Sequence, residues 1–256
     1  MIRERRFERI REELARQGSL EGEELAALLG ISKATLRRDL DELERRGVLK
    51  RTHGGATLPA SGAELPYFSK LAAFAAEKRA IGAAAAALIP EGAVIGCTGG
   101  TTVMQVIKSL SGKSLTIVTN AINIAMELAH EERIQVVVTG GSLRPRSFEL
   151  VGPHSDQLLS SLRLDIALIG VDGISPEFGI STYTLGEAHS NSQFISRAEK
   201  VWVVADHSKV GKVAPALIAP LSKVQRIITD ADIGEEARGP LASAGVEVVL
   251  AERQEP

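Results

Sequence analysis

Two groups of residues in this chain have types and spacings that can carry chemistry. The first lies in SKATLRRDLDELERR, residues 32 to 46. At about 100° per residue, Leu36, Leu40 and Leu43 gather within ~60° on one side of a helix, and Ala34, Arg38 and Arg45 stand opposite. Arg37 and Lys33 flank that outer face, Thr35 sits in its first turn, and Ser32 stands where an N-cap belongs. A small residue that permits close approach, short polar side chains at the N-terminal turn and arginines for phosphate or guanine are what a helix entering the DNA major groove presents. After Gly47 the run VLKRTHGGATL carries Lys50, Arg51 and His53 toward Gly54-Gly55, a pair suited to a tight hairpin turn. A basic hairpin in that place reads as a wing.

The second group lies at the ends of short apolar runs further along. Cys97-Thr98-Gly99-Gly100-Thr101-Thr102 precedes a helical stretch, and the other ends carry Thr119-Asn120, Thr139-Gly140-Gly141, Asp172-Gly173 and Asp206. Backbone N–H groups, hydroxyls and a helix N-terminus suit an anion, while Asn and carboxylate side chains suit hydroxyls. Taken singly, such residues are turns and helix caps. Their recurrence at one edge predicts a site for a phosphate-bearing, hydroxyl-rich ligand.

The elements that must position these groups are legible in the apolar spacing. Phe7, Ile10 and Leu14, then Leu25, Leu28 and Leu29, mark two helices ahead of the Leu36 stripe, with Gly18 and Gly30 placed for left-handed C-caps. From Glu77 the pattern alternates. EKRAIGAAAAALIP leads to AVIGC, a helix ending near Leu110 leads to SLTIVT, and AINIAMELAH leads to IQVVVTGG. LDIALIGVDG, KVWVVAD, VQRIITD and VEVVL follow. Short Val/Ile-rich runs between helices predict a largely parallel sheet covered on both faces, with ligands at the carboxyl ends of its strands. The predicted organisation is a winged helix-turn-helix over 1–57, a Pro- and Gly-containing connector over 58–76 with Pro59, Gly62 and Pro66, and an α/β domain over 77–256.

Composition narrows the function classes. The chain has 256 residues, 44% of them hydrophobic and 24% charged, an ordinary globular balance with net charge -2. That charge is a sum of unlike parts. Residues 1–57 hold 13 Lys/Arg against 11 Asp/Glu, the remainder 17 against 21, and residues 33–51 alone seven against four. No run reaches the ~20 apolar residues of a membrane span, and the charged first segment is no secretory signal, so a cytoplasmic protein is expected. A lone cysteine, Cys97, excludes an internal disulfide and a cysteine zinc cluster, and the five histidines lack metal-ligand spacing. Ser111-Gly112-Lys113-Ser114 ends like a P-loop, but Ile107 stands where its first glycine belongs, and no G-x-G-x-x-G follows a strand. No metal and no cofactor are expected.

The run EELAALLGISKATLRRDLDELERRGVLKRTHGGA resembles the N-terminal segment of the DeoR family of transcriptional regulators. The likeness continues through Lys78 in EKRAIG, the Gly99–Thr102 loop, VTN at 118–120, GGSLRPRSFELVGP at 140–153, LDIALIGVDGI at 164–174, Glu187-Ala188 and ADHSKVG at 205–211. It implies that the helix from Ser32 enters the major groove. It also implies that the second domain senses a phosphorylated sugar and is similar in fold to ribose-5-phosphate isomerases and CoA transferases. Residue by residue it marks Lys78, the threonine loop, Asn120, Asp172, Glu187 and Lys209 as ligand contacts, with Arg144 divided between ligand and subunit contact. Three positions depart from the family pattern: Gly100 replaces a Ser or Thr, Cys97 a frequent Asp, and Asn191 a usual Lys. An isomerase or CoA-transferase-like enzyme is the alternative. Isomerases place a second acid three residues after the position of Asp172, where this chain has Ser175, so catalysis is not expected. The expectation is a ligand-responsive repressor of a carbohydrate operon that binds operator DNA as a dimer or tetramer.

Overall fold

The computed structural model describes residues 2–45, 48–57 and 64–252. The chain forms two compact units, Met1–Ala73 and Phe74–Pro256. Of the expected connector, Pro59 and Gly62 lie outside the described residues, as do Arg46 and Gly47, while Tyr67–Leu71 is a short helix.

The first unit runs α1 (Arg3–Gln17), β1 (Ser19–Glu21), α2 (Gly22–Leu29), α3 (Lys33–Arg45), β2 (Lys50–Arg51), β3 (Gly55–Thr57) and α4 (Tyr67–Leu71). Its core holds the stripes read from the sequence: Ile10 and Leu14 from α1, Leu25 and Leu29 from α2, and Leu36, Leu40 and Leu43 from α3. Leu28 departs from the expectation and stays exposed, because α2 is short and only one side of it meets α1 and α3. Gly18 and Gly30 take positive φ after their helices, and Gly30 is left-handed. The wing hairpin is joined by β1, which periodicity could not reveal in three residues, giving an antiparallel sheet in the order β1-β3-β2.

α1 and α3 are tied together by charge. Asp39 faces inward at 3% exposure, and the Arg6 guanidinium donates to both of its oxygens at 2.7 and 3.1 Å. Such a carboxylate is tolerated inside only because it is paired.

The second unit runs α5 (Ala75–Leu88), β4 (Val94–Cys97), α6 (Thr101–Lys108), β5 (Leu115–Thr119), α7 (Ile122–Leu128), β6 (Ile134–Val138), β7 (Ser142–Arg144), β8 (Glu149–Val151) and α8 (Pro153–Ser160). There follow β9 (Leu164–Ile169), β10 (Gly173–Ser175), β11 (Gly179–Thr182), α9 (Leu185–Arg197), β12 (Ala198–Val204), β13 (Ala216–Ala219), β14 (Arg226–Asp230), α10 (Glu235–Ser243) and β15 (Glu247–Ala251). The seven apolar runs of the sequence all enter one sheet, in the order β15-β14-β12-β9-β4-β5-β6, and every pairing in it is parallel. Alternate residues serve two cores. Ile166, Leu168, Trp202 and Val204 pack with α5, α6 and α7, while Ala167, Ile169, Val201 and Val203 pack with α8, α9 and the small antiparallel sheet β10-β11-β13. Both faces being covered is why these strands read as unbroken apolar runs. No helix among the described residues is long and apolar enough to cross a membrane.

Substituting Arg6→Ala removes the main partner of a buried carboxylate. Arg3 stands 4.0 Å from Asp39 and compensates in part, so the expected loss is about 2 kcal/mol, below the ~3–5 kcal/mol of a fully orphaned buried charge. Urea unfolding followed by far-ultraviolet circular dichroism measures it, and a loss under about 0.5 kcal/mol would contradict the inward role of Asp39.

Candidate functional site

In the first unit, the Ser32 Oγ accepts the Thr35 N–H at 3.2 Å and lies 2.9 Å from the Thr35 hydroxyl, so the expected N-cap is present. Ala34, Arg37 and Arg38 are exposed along α3. All four acids of this helix are engaged. Asp39 holds Arg6, Glu42 pairs with Arg45 and lies 3.9 Å from Arg3, Asp41 meets the Arg51 guanidinium at 2.7 Å, and Glu44 accepts the Arg51 backbone N–H at 2.9 Å. Lys33 pairs with Glu23 and holds that carboxyl below its ordinary value.

Among the described residues, Arg37, Arg38 and Lys50 have no acidic partner, and they are the cations that α3 and the wing leave unpaired. His53 is exposed at the hairpin tip, between Thr52 and Gly55, whose N–H and C=O groups close the turn at 3.1 and 3.4 Å. Of the ten residues expected to face DNA, the structure thus leaves Arg37, Arg38, Lys50 and His53 uncommitted and engages Lys33, Arg45 and Arg51 within the unit.

In the second unit, the sheet order brings the expected strand ends side by side: Thr139-Gly140-Gly141 after β6, Asn120 after β5, Thr98 to Thr102 after β4, Asp172 after β9 and Asp206 after β12. The chain leaves β4 toward α6 on one face and β9 toward β10 on the other, so the β4/β9 boundary is the switch point where doubly wound sheets open a crevice. Thr98 bridges it, its hydroxyl accepting the Gly170 N–H at 3.1 Å. Gly100 has φ 119 and ψ 154 as it enters α6, a conformation open to glycine and strained for a Ser or Thr.

Charged groups meet around this boundary. Buried Lys78, from α5, lies 4.0 Å from buried Asp206, and Lys209 lies 3.8 Å from Asp172. The Thr182 hydroxyl stands 3.1 Å from both Asp172 and Glu187, joining the two carboxyls. Glu187 caps α9 with Thr184, whose hydroxyl accepts the Glu187 N–H at 3.3 Å, and it pairs with Arg144. The carbonyl-type oxygens of Asn120 and Asn191 are buried with no partner among the described residues, although the Asn120 amide nitrogen reaches Ser190 at 3.2 Å.

One member of this cluster escaped the sequence reading. Glu149, the first residue of β8, is buried and accepts the Gly99 N–H at 2.5 Å. A Cβ on Gly99 would lie 2.7 Å from the Glu149 Cγ, so the glycine at 99 admits this acid. In the β7–β8 hairpin Glu149 is the direct cross-strand partner of Arg144, and the two reach the same carboxyl, Glu187. Burial pushes the Glu149 carboxyl up to about 8. The charge of Glu187 adds to the shift, while the Gly99 N–H and Arg144 oppose it. The visible signal was a lone acid inside FELVG, the start of an otherwise apolar run; Thr182 and Thr184 offered none. Cys97, in contrast, is fully buried with its thiol pushed up to about 12 by desolvation, and it packs as a small core residue.

A raised carboxyl carries a sign. The folded chain keeps a proton on Glu149 that the unfolded chain releases near 4.5, so this group's contribution is complete below that value and is lost as pH rises to about 8. Trp202, the sole tryptophan and buried in this unit, reports its unfolding. Its melting temperature is expected to fall between pH 6 and pH 9, with the fall reduced in Glu149→Gln; an equal fall in that variant would remove Glu149 as the cause.

Comparison with known proteins follows this division. Residues 6–61 match the DeoR-like helix-turn-helix domain and residues 73–231 the DeoR C-terminal sensor domain. The HTH-type transcriptional regulator GlpR of Haloferax volcanii is 38% identical over 229 residues, 89% of each chain. The HTH-type transcriptional repressor GlcR of Bacillus subtilis is 34% identical over 256 residues, 100% of this chain and 99% of that one. The glycerol-3-phosphate regulon repressor of Escherichia coli K12 is 33% identical over 232 residues, 90% of this chain and 92% of that one. Among solved structures, ribose 5-phosphate isomerase A of Neisseria gonorrhoeae aligns over 52% of each chain at 24% identity and TM-score 0.39. Matched in order by both domains of the family and by relatives of this identity along most of its length, the chain belongs to the DeoR family of transcriptional regulators.

Proposed function

We propose that this chain is a DNA-binding repressor of a carbohydrate-metabolism operon, whose DNA affinity is set by a phosphorylated sugar held in the second unit. The single observation that carries the DNA half is the distribution of charge on α3. Three of its four acids are paired with cations of the same unit and the fourth, Glu44, accepts the Arg51 backbone N–H, while Arg37, Arg38 and Lys50 remain for phosphates and base edges. Ala34, Thr35 and Ser32 give the close approach at the helix N-terminus. One such unit presents few contacts, so a homo-oligomer acting in the cytoplasm on paired half-sites is the working form.

The sensor half rests on the switch-point cluster. Thr98 to Thr102 supply amides and hydroxyls for a phosphate, with Gly140 and Gly141 beside them, and Lys78 and Lys209 supply the charge. Asn120, Asp172 and Glu187 take the sugar hydroxyls, and the unpartnered oxygens of Asn120 and Asn191 accept further ones. With Asn191 neutral, Arg144 on its hairpin stands as a third cation for the anionic group. Relatives named as repressors, one of them for a glycerol-3-phosphate regulon, support this reading.

Two measurements test it. A panel of phosphorylated sugars and glycerol 3-phosphate should raise the melting temperature; a ligand at a hundredfold its dissociation constant stabilises by ~2.7 kcal/mol. Lys78→Ala and Asp172→Ala should abolish most of that gain, and a flat panel would overturn the effector class. On DNA, Arg38→Ala should weaken binding and lower the slope of log affinity against log salt by ~1. Unchanged affinity would refute the placement of α3 in the groove.

A further inference from the structure

An acid on the outer side of a helix that reads DNA repels the approaching phosphates unless it accepts from a cytosine amino group. Asp41 and Glu44 nevertheless stand there, four and seven residues after Arg37 and on the same side of α3. Both engage one residue of the wing. Asp41 meets the Arg51 guanidinium at 2.7 Å, and Glu44 accepts the Arg51 backbone N–H at 2.9 Å. That amide belongs to β2, the edge of the sheet, so Glu44 satisfies a strand-edge donor that has no strand beside it. The hairpin it holds is two residues long on one side and three on the other, too short to keep a fixed attitude by its own ladder.

We propose that Asp41, Glu44 and Arg51 form a staple that fixes the wing against the recognition helix, so that they are positioning residues for DNA reading and Arg51 is not itself a DNA contact. The proposal rests on the DNA-binding reading of this unit. The staple sets the separation between two sets of free cations, Arg37 and Arg38 on α3 and Lys50 on β2, which must meet phosphates at a spacing the duplex dictates. It also compensates the negative charge of Asp41 on the approach face and turns the Glu44 carboxylate toward the strand edge. Exposed pairs of this kind add little to folding stability, so their loss is read in DNA binding and leaves the fold standing.

The test uses the full chain and a duplex selected by the unmodified protein from a random-sequence library. If Asp41 and Glu44 were only repulsive, Asp41→Ala and Glu44→Ala would tighten binding. The staple requires both to weaken it, by about fivefold. Glu44→Gln retains an acceptor for the Arg51 N–H and is expected to bind like the unmodified chain. Arg51→Ala is expected to weaken binding with the salt slope unchanged, while Arg38→Ala lowers that slope by ~1. The exchange of Asp41→Arg with Arg51→Asp should recover most of the affinity lost by either alone. Tighter binding by Asp41→Ala, or a slope reduced by ~1 in Arg51→Ala, overturns the proposal. Should the library yield no enriched duplex, the DNA-binding reading itself falls and the staple's role with it, an outcome distinct from either of those.

Discussion

A parallel sheet covered on both faces has no place for a polar side chain except where its strands end, and the second unit is organised by that constraint. Seven strands run the same way, each serving α5, α6 and α7 on one side and α8, α9 and the small antiparallel sheet on the other. Thr98 to Thr102, Asn120, Gly140, Asp172 and Asp206 are thereby carried to one edge. At the β4/β9 boundary the flanking connections diverge, and the edge becomes a place a ligand can enter. Gly99, Gly170 and Gly100 follow from this geometry: the first leaves room for Glu149, the second lies under the Gly99 carbonyl, and the third turns the chain into α6.

The first unit meets a different constraint, since its function needs exposed positive charge and its folding needs α1, α3 and the wing held together. Ion pairs and one side-chain-to-backbone hydrogen bond satisfy both demands. Asp39 joins α3 to α1, Asp41 and Glu44 join it to β2, and Glu42 shares Arg45 and Arg3. The mixed charge of the segment, which on sequence alone weakens the case for DNA contact, is the means by which a few selected cations are left free.

What the sequence reveals and hides follows from the range of the interactions. The seven strands were legible because burial on two faces writes itself into consecutive residues, and α1 to α3 because a one-sided helix repeats its stripe. β1, β7, β8, β10, β11 and β13 are mostly three or four residues long and owe their existence to partners elsewhere in the chain, so no local pattern announces them. The site divides the same way. Thr98 to Thr102, Asn120 and Asp172 follow strands and can be found by position. Lys78, Glu187 and Lys209 lie on helices or turns and emerge only through likeness to a family. Glu149 and Thr182 act through contacts with residues 50 and 10 positions distant, which neither spacing nor composition records. Similarly, the charge of Arg51 is visible in the sequence, and only the fold shows that its guanidinium meets Asp41.

The charges of the sensor cluster, taken together, give a context for the one carboxyl there that burial pushes up. Glu149, Glu187, Asp172 and Asp206 face Lys78, Arg144 and Lys209, so with all four acids ionised the cluster would be negative before any ligand arrived. An anion brought into a desolvated crevice of that sign would meet net repulsion. Burial pushes the Glu149 carboxyl up to about 8, which lessens the negative charge of the cluster and favours an uncharged oxygen on the Gly99 amide. A phosphate competes for a backbone N–H far better against a neutral carboxyl than against a carboxylate, because charged acceptors bind such donors about twice as strongly. On the proposed reading of the loop after β4 as an anion site, the acid that the sequence reading missed is the group that reconciles that loop with the acids around it.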